Sequence, residues 1–104
     1  ADMNISDDNH YTPLHIATSR ERMAVTATLV DKGADVNKQD EYGHSPLHLA
    51  CNYGYVEVAS LLTEYGASVS LEDMEGNTPL DLASSSGDLE VYALLSERER
   101  EKDR

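Results

Sequence analysis

The chain has 104 residues, a formal net charge of −12, a single cysteine and neither Trp nor Phe. Nucleic acid is excluded as the expected partner, because binding a polyanion normally requires clustered Lys and Arg. No apolar run approaches the roughly 18 residues of a membrane-spanning helix, so we expect no membrane span. A core without the largest apolar side chains favours a stack of small packed units over a compact globule.

The net charge is unevenly distributed along the chain. Residues 97–104 alternate acidic and basic side chains and sum to zero, so the whole charge of −12 lies on residues 1–96. A basic or zwitterionic protein surface is therefore the better expected partner.

One pattern of residues occurs three times. The copies read Thr12-Pro13-Leu14-His15-Ile16-Ala17, Ser45-Pro46-Leu47-His48-Leu49-Ala50 and Thr78-Pro79-Leu80-Asp81-Leu82-Ala83, at a constant step of 33 residues. A fixed period of this length indicates a stacked repeat.

The middle copy predicts a first helix with clear ends. Ser45 is a good N-cap, and Pro46 suits the first helical position, where no amide donor is needed. The helix is expected to run to about Tyr53 and to end at Gly54, because glycine tolerates the left-handed conformation that closes helices.

A second helix is predicted in the same copy, antiparallel to the first. Val58, Leu61 and Leu62 form its expected buried stripe, and Gly66 its stop. Residues 40–43 are predicted to form a turn that projects from the stack.

The first copy departs from the pattern. His10 replaces the turn glycine, Glu21 replaces the helix-ending glycine, and Thr28 stands at a leucine position. We expect this repeat to be the least stable and the first to open. Residues 20–22 are interpreted either as drift or as a remodelled binding loop.

Further matches extend the pattern along the chain. Gly33-Ala34-Asp35-Val36-Asn37 returns 33 residues later as Gly66-Ala67-Ser68-Val69-Ser70, so the chain resembles the ankyrin-repeat family from end to end. The resemblance implies an all-α solenoid of stacked antiparallel helix pairs with projecting β-turn loops.

The resemblance also implies the domain organisation. Residues 1–104 are predicted to be a single ankyrin-repeat domain, with repeats at about 7–39, 40–72 and 73–104, a remnant of a preceding repeat at 1–6, and a charged helical end at 97–104. Because Glu99 replaces the helix-ending glycine, the last helix is expected to continue past Leu95. We interpret the chain as a segment of a longer array, whose truncated ends are open to self-association.

The histidines do not indicate a catalytic or metal site. His15 and His48 lie at equivalent repeat positions, without the close clustering of zinc ligands, and in the resembled family this histidine bridges turns by hydrogen bonds. Since no other catalytic pattern is left over, we expect no enzyme, no cofactor and no metal. Cys51 is interpreted as a buried thiol in a reducing compartment, and the expected localisation is cytoplasmic or nuclear.

The resemblance implies that a partner binds the concave side, through the turn tips and the outer end of the first helix of each repeat. By repeat position these residues are Asp8, Asn9, Tyr11, Ser19 and Arg20, then Glu41, Tyr42, His44, Asn52 and Tyr53, then Met74, Glu75, Asn77, Ser85 and Ser86. Tyrosine is enriched at binding hot spots, and the carboxylates make this face acidic.

The leading hypothesis is a non-catalytic protein–protein interaction module, a scaffold whose partner presents Lys or Arg beside an apolar anchor. One alternative is a regulatory or structural segment of a larger multidomain enzyme or channel, which packs against its own parent chain. Another is a spacer between other repeats. Asn37 is a candidate modification site, because its surroundings are similar to the substrate pattern of the asparaginyl hydroxylase that modifies many ankyrin repeats, although the same pattern also serves as a structural turn.

Overall fold

The described part of the chain forms six helices in three antiparallel pairs. A computed structural model describes the backbone of residues 11–102 and the side chains of residues 11–98. The pairs are α1 (Pro13–Ser19) with α2 (Met23–Asp31), α3 (Pro46–Tyr53) with α4 (Val56–Glu64), and α5 (Pro79–Ser86) with α6 (Leu89–Lys102). No strand occurs among the described residues. The predicted all-α solenoid is therefore confirmed.

The first helix of each pair begins at a capping box. The Ser45 hydroxyl accepts the amide of His48, and the His48 ring accepts the amide of Ser45 in return. Thr12 and Thr78 take the place of Ser45 at α1 and α5. Each box satisfies two amides that a helix leaves without an internal partner, so these short helices start at defined residues.

The end of α1 follows the same path as the end of α3, although it lacks the glycine. Gly54 closes α3 with φ 75°, and Glu21 adopts the same left-handed region with φ 55°. Glu21 donates its amide to Thr18, and Arg22 donates to Ala17. The backbone of residues 20–22 therefore keeps the path of the glycine-containing copy, and a binding role of this loop stays a prediction.

The helices pack in two layers. Helices α1, α3 and α5 lie side by side, and α2, α4 and α6 form the second layer against them. The largest fully buried apolar side chains are Leu14, Leu47, Val58, Leu62, Val91 and Leu95. Val58 and Leu62 are buried as predicted, whereas Leu61 is only half-buried. Apolar side chains thus fill the space between neighbouring helices, as expected for a solenoid.

Cys51 lies inside this core with no exposed surface. Burial raises the pKa of its thiol to about 12, and the Asp88 carboxylate adds to the effect. The predicted buried, free thiol is confirmed.

The last helix is the longest. Helix α6 has 14 residues and continues past Leu95 to Lys102, as the missing glycine at position 99 predicted. Among the described residues, no helix combines the length and apolarity needed to cross a membrane.

Candidate partner-binding surface

A buried aspartate organises each of the two projecting turns that the structure describes, at residues 40–43 and 73–76. The Oδ1 atom of Asp73 accepts the backbone amides of Glu75 and Asn77, both at 2.9 Å. Asp40 makes the equivalent pair of bonds in the preceding turn. Neither aspartate was predicted as a site residue from the sequence, although the two lie 33 residues apart.

The two turns stack directly on each other. The amide of Met74 donates to the carbonyl oxygen of Tyr42 at 2.9 Å. Gly43 makes this approach feasible, since a Cβ at that position would lie 2.6 Å from the Met74 nitrogen. The stack leaves Tyr42 63% exposed and Met74 76% exposed at the turn tips.

Two buried histidines connect α1 and α3 to the projecting turn of the next repeat. Nε2 of His15 lies 2.9 Å from the carbonyl oxygen of His44, and Nε2 of His48 lies 3.0 Å from that of Asn77. In both rings Nδ1 accepts the backbone amide of the N-cap residue, which assigns the proton of the neutral ring to Nε2. Burial lowers the pKa of both histidines, against the opposing effect of the backbone hydrogen bonds. Their predicted structural role is confirmed.

A groove of about 210 Å³ opens beside these turns, between α3 and α5. Its lining residues are His44, His48, Leu49, Asn52, Asp73, Glu75 and Leu82. Three of them were predicted as partner-binding residues, namely His44, Asn52 and Glu75. Leu49 and Leu82, which give the groove an apolar part, were interpreted only as part of the repeat pattern.

His44 spans the two turn aspartates. Its Nε2 atom lies 3.2 Å from Oδ2 of Asp73, and its Nδ1 lies 4.0 Å from Oδ2 of Asp40. Burial alone would raise the pKa of Asp73, but the amides of Asn77 and Glu75, together with the nearby histidines, outweigh it and lower the pKa. The Asp73 carboxylate is therefore held in its charged form.

The remaining predicted residues of the second and third repeats do not line the groove. Glu41 is exposed next to Tyr42, and its carboxylate raises the pKa of the Tyr42 phenol. Tyr53 is 51% exposed at the end of α3, with its ring centroid 5.4 Å from that of Tyr55. Asn77 is half-buried.

The first repeat contributes less to this region. The Tyr11 ring stacks on His15 with centroids 4.9 Å apart, and Arg20 is exposed at the end of α1. The predicted residues Asp8 and Asn9 lie outside the described residues. Neither Tyr11 nor Arg20 lines the groove.

Two of the predicted serines form hydrogen bonds within their own helices. The hydroxyl of Ser19 donates to Ile16, and that of Ser86 donates to Ala83, each within its own helix. Ser85 is exposed.

Asn37, at the end of the first repeat, connects it to the end of the second repeat. Its Oδ1 accepts the amide of Ser68 at 2.8 Å, and its Nδ2 lies 3.4 Å from the carbonyl oxygen of Gly66. Asn37 is exposed, but its side-chain amide is thus engaged in packing the repeats together.

Among residues 11–98, no group of three or more His, Cys, Asp or Glu side chains could hold a metal ion. A search of curated proteins finds no match to the chain. A family model described as "Ankyrin repeats (3 copies)" matches residues 1–73 and 39–104, which together cover the whole sequence. The chain belongs to the ankyrin-repeat family.

Proposed function

We propose that the chain is a non-catalytic protein–protein interaction module, which binds its partner through the stacked turns and the α3 and α5 ends beside them. Ankyrin repeats are generally protein–protein interaction modules. The observation that carries the proposal is the exposure of large side chains at the turn tips, with Tyr42 63% and Met74 76% exposed. Exposed large side chains of this kind supply contact area at interfaces.

The charge distribution supports a basic partner rather than nucleic acid. Residues 39–97 contain 11 acidic side chains and no Lys or Arg. A partner segment with Lys or Arg would be attracted to this surface, and association would slow as salt increases. An apolar anchor beside the basic residue would contact Tyr42, Tyr53 and Met74.

The experiment starts from a partner captured with the intact chain and identified by mass spectrometry. Its affinity is measured for Tyr42→Ala, for Tyr53→Ala and for Tyr65→Ala as a control, because Tyr65 is 44% exposed at the end of α4 in the other helix layer. We expect the first two changes to weaken binding by about 2 kcal/mol or more, which is about thirtyfold, and the control to have little effect. Unchanged binding in both variants, with no salt dependence, would contradict the proposal.

A second candidate function is favoured by the exposed side chains of α6. Leu89 is 81% exposed and Tyr92 40% exposed, whereas Ala59, one repeat earlier than Tyr92, is fully buried. The two side chains border a pocket of about 140 Å³. This surface would suit a regulatory segment that packs against its own parent chain. Hydrogen exchange at Leu89–Leu95 that is slower in the full parent chain than in this segment would support that function, and equal exchange would contradict it.

We also propose hydroxylation of Asn37 and a cytoplasmic or nuclear location. The free, buried Cys51 thiol is compatible with a reducing compartment. Because the Asn37 amide bonds Ser68 and Gly66, the hydroxylase would act only when this segment opens locally. Peptide mass spectrometry of the intracellular protein tests the modification. A wholly unmodified Asn37, with the hydroxylase abundant, would contradict it.

A further inference from the structure

The groove between α3 and α5 contains a carboxylate oxygen without a hydrogen bond. Oδ1 of Asp73 accepts two turn amides, but its Oδ2 is buried and accepts none. The Asp73 side chain is only 1% exposed, and the polar atom paired with Oδ2 is Nε2 of His44, at 3.2 Å. A buried charged atom left without a hydrogen bond is costly, and such atoms are rare in folded proteins.

The contact with His44 does not supply the hydrogen bond that Oδ2 of Asp73 lacks. The ring contact has the distance of an ion pair but provides no hydrogen bond to Oδ2. Because the His44 side chain is 30% exposed, it has room to rotate away from Asp73.

The other walls of the groove complete a site for a long cationic side chain. Glu75 and Asn52 are exposed at its rim and offer a carboxylate and an amide oxygen. Leu49, 9% exposed, and the half-buried Leu82 form an apolar surface beside them. Long basic side chains bury their aliphatic stems on such surfaces while their charged ends meet polar groups.

We propose that this groove is a subsite for the side chain of one arginine of the protein partner. The stem of the arginine lies on Leu49 and Leu82, and its guanidinium binds the Glu75 carboxylate and displaces His44 from Oδ2 of Asp73. Arginine fits better than lysine, because its planar group offers several donors to carboxylates and is less strongly hydrated. The inference rests on the proposed function, since it names the partner chemistry at that surface.

The test uses the whole ¹⁵N-labelled chain and a small probe, N-acetyl-arginine amide, followed by NMR. We expect chemical-shift changes concentrated at Asn52, Asp73, Glu75 and Leu82. The citrulline analogue, which is neutral and of similar shape, should cause almost none, and the lysine analogue should bind more weakly than the arginine probe.

Two glutamates of the same turn provide matched variants. Glu75→Gln should weaken probe binding about threefold to tenfold, while Glu72→Gln removes the same charge outside the groove and should change it little. His44→Ala uncovers Oδ2 of Asp73 and should strengthen binding. Thermal unfolding of each variant checks that the fold is kept.

Three results would overturn the subsite. The first is equal weakening by the two glutamate changes, with shifts spread over the acidic surface. The second is binding of the citrulline or lysine analogue as tight as that of the arginine probe. The third is a loss of binding in His44→Ala. None of these results would contradict the proposed function, because that function is tested at Tyr42 and Tyr53, which do not line the groove.

Discussion

Nε2 of His48, in α3, donates to the carbonyl oxygen of Asn77 in the turn of the next repeat, at 3.0 Å. His15 makes the same connection to His44 at 2.9 Å. Each ring also accepts an amide at Nδ1, and the hydroxyl of the N-cap residue lies 2.8 Å from the same atom, so the neutral ring with its proton on Nε2 satisfies both bonds. Because both rings are buried, adding a proton carries a desolvation cost, and the folded state favours the neutral imidazole.

This preference for the neutral ring predicts that stability decreases on mild acidification. The folded pKa of His15 and of His48 lies below the ordinary value of 6.5, so between the two values the unfolded chain binds more protons than the folded one. The corresponding stability is fully present above pH 6.5 and is lost as the pH falls through the folded pKa values. Urea unfolding followed by circular dichroism between pH 7.5 and 5.0 measures it. The difference in stability between the wild type and His48→Gln should shrink as the pH falls, and a difference that stays constant or grows would contradict the assignment.

The stacked turns predict an unequal response of two equivalent glycines. Both have positive φ, 81° at Gly43 and 83° at Gly76, but only at Gly43 would a Cβ contact the backbone of the next turn, 2.6 Å from the Met74 nitrogen. Gly76→Ala should cost about 1 kcal/mol for its conformation alone, and Gly43→Ala about 2 to 4 kcal/mol because the turns must separate. Chemical denaturation of the two variants compares them. Equal losses would show that the turns do not stack as described.

Glu21 predicts a stabilising substitution in the first repeat. A non-glycine residue at φ 55° is strained by about 1 to 2 kcal/mol. Glycine relieves this strain, but it also increases the conformational entropy of the unfolded chain, which offsets part of the gain in stability. We expect Glu21→Gly to raise the free energy of unfolding by about 0.5 to 1 kcal/mol. Glu21→Gln removes the same charge but keeps the strain, so it should change the free energy by less than about 0.5 kcal/mol. No gain from glycine, or an equal gain from glutamine, would contradict this explanation.

Two threonines of α2 predict different responses to the same substitution. The Thr26 hydroxyl is buried and has no hydrogen-bond partner, whereas the exposed Thr28 hydroxyl donates to Ala24 at 2.9 Å. Thr26→Val should therefore stabilise the chain by about 1 kcal/mol, while Thr28→Val should bring no gain. Thermal unfolding of both variants measures the difference. A loss of stability in Thr26→Val would indicate that the buried hydroxyl is satisfied in solution.

The helix pairs could be predicted from the sequence because their signals are local. Ser45 and Pro46 define a start, and Gly54 defines an end, through bonds within a few residues of each. The structural role of His48 could also be predicted, although only through the family resemblance.

The groove could not be predicted in the same way, because it depends on contacts between repeats. His44 and Asp73 are paired only because consecutive turns stack, and neither residue alone indicates that pairing. Ile16, Leu49 and Leu82 occupy one repeat position, yet Ile16 is 40% exposed and Leu49 only 9%. Their exposure is determined by which neighbouring helix covers each one, and the repeat pattern does not encode that difference.

Photo-crosslinking tests the central claim most directly, because it asks which surface the partner touches. Benzoylphenylalanine is placed at Tyr42, on the stacked turns, or at Tyr65, whose hydroxyl lies 3.5 Å from Asp31 in the other helix layer. Each labelled chain is irradiated with the purified partner, and the products are identified by mass spectrometry. Crosslinks from position 42 and none from position 65 are the predicted result. Crosslinks from position 65 alone would contradict the account.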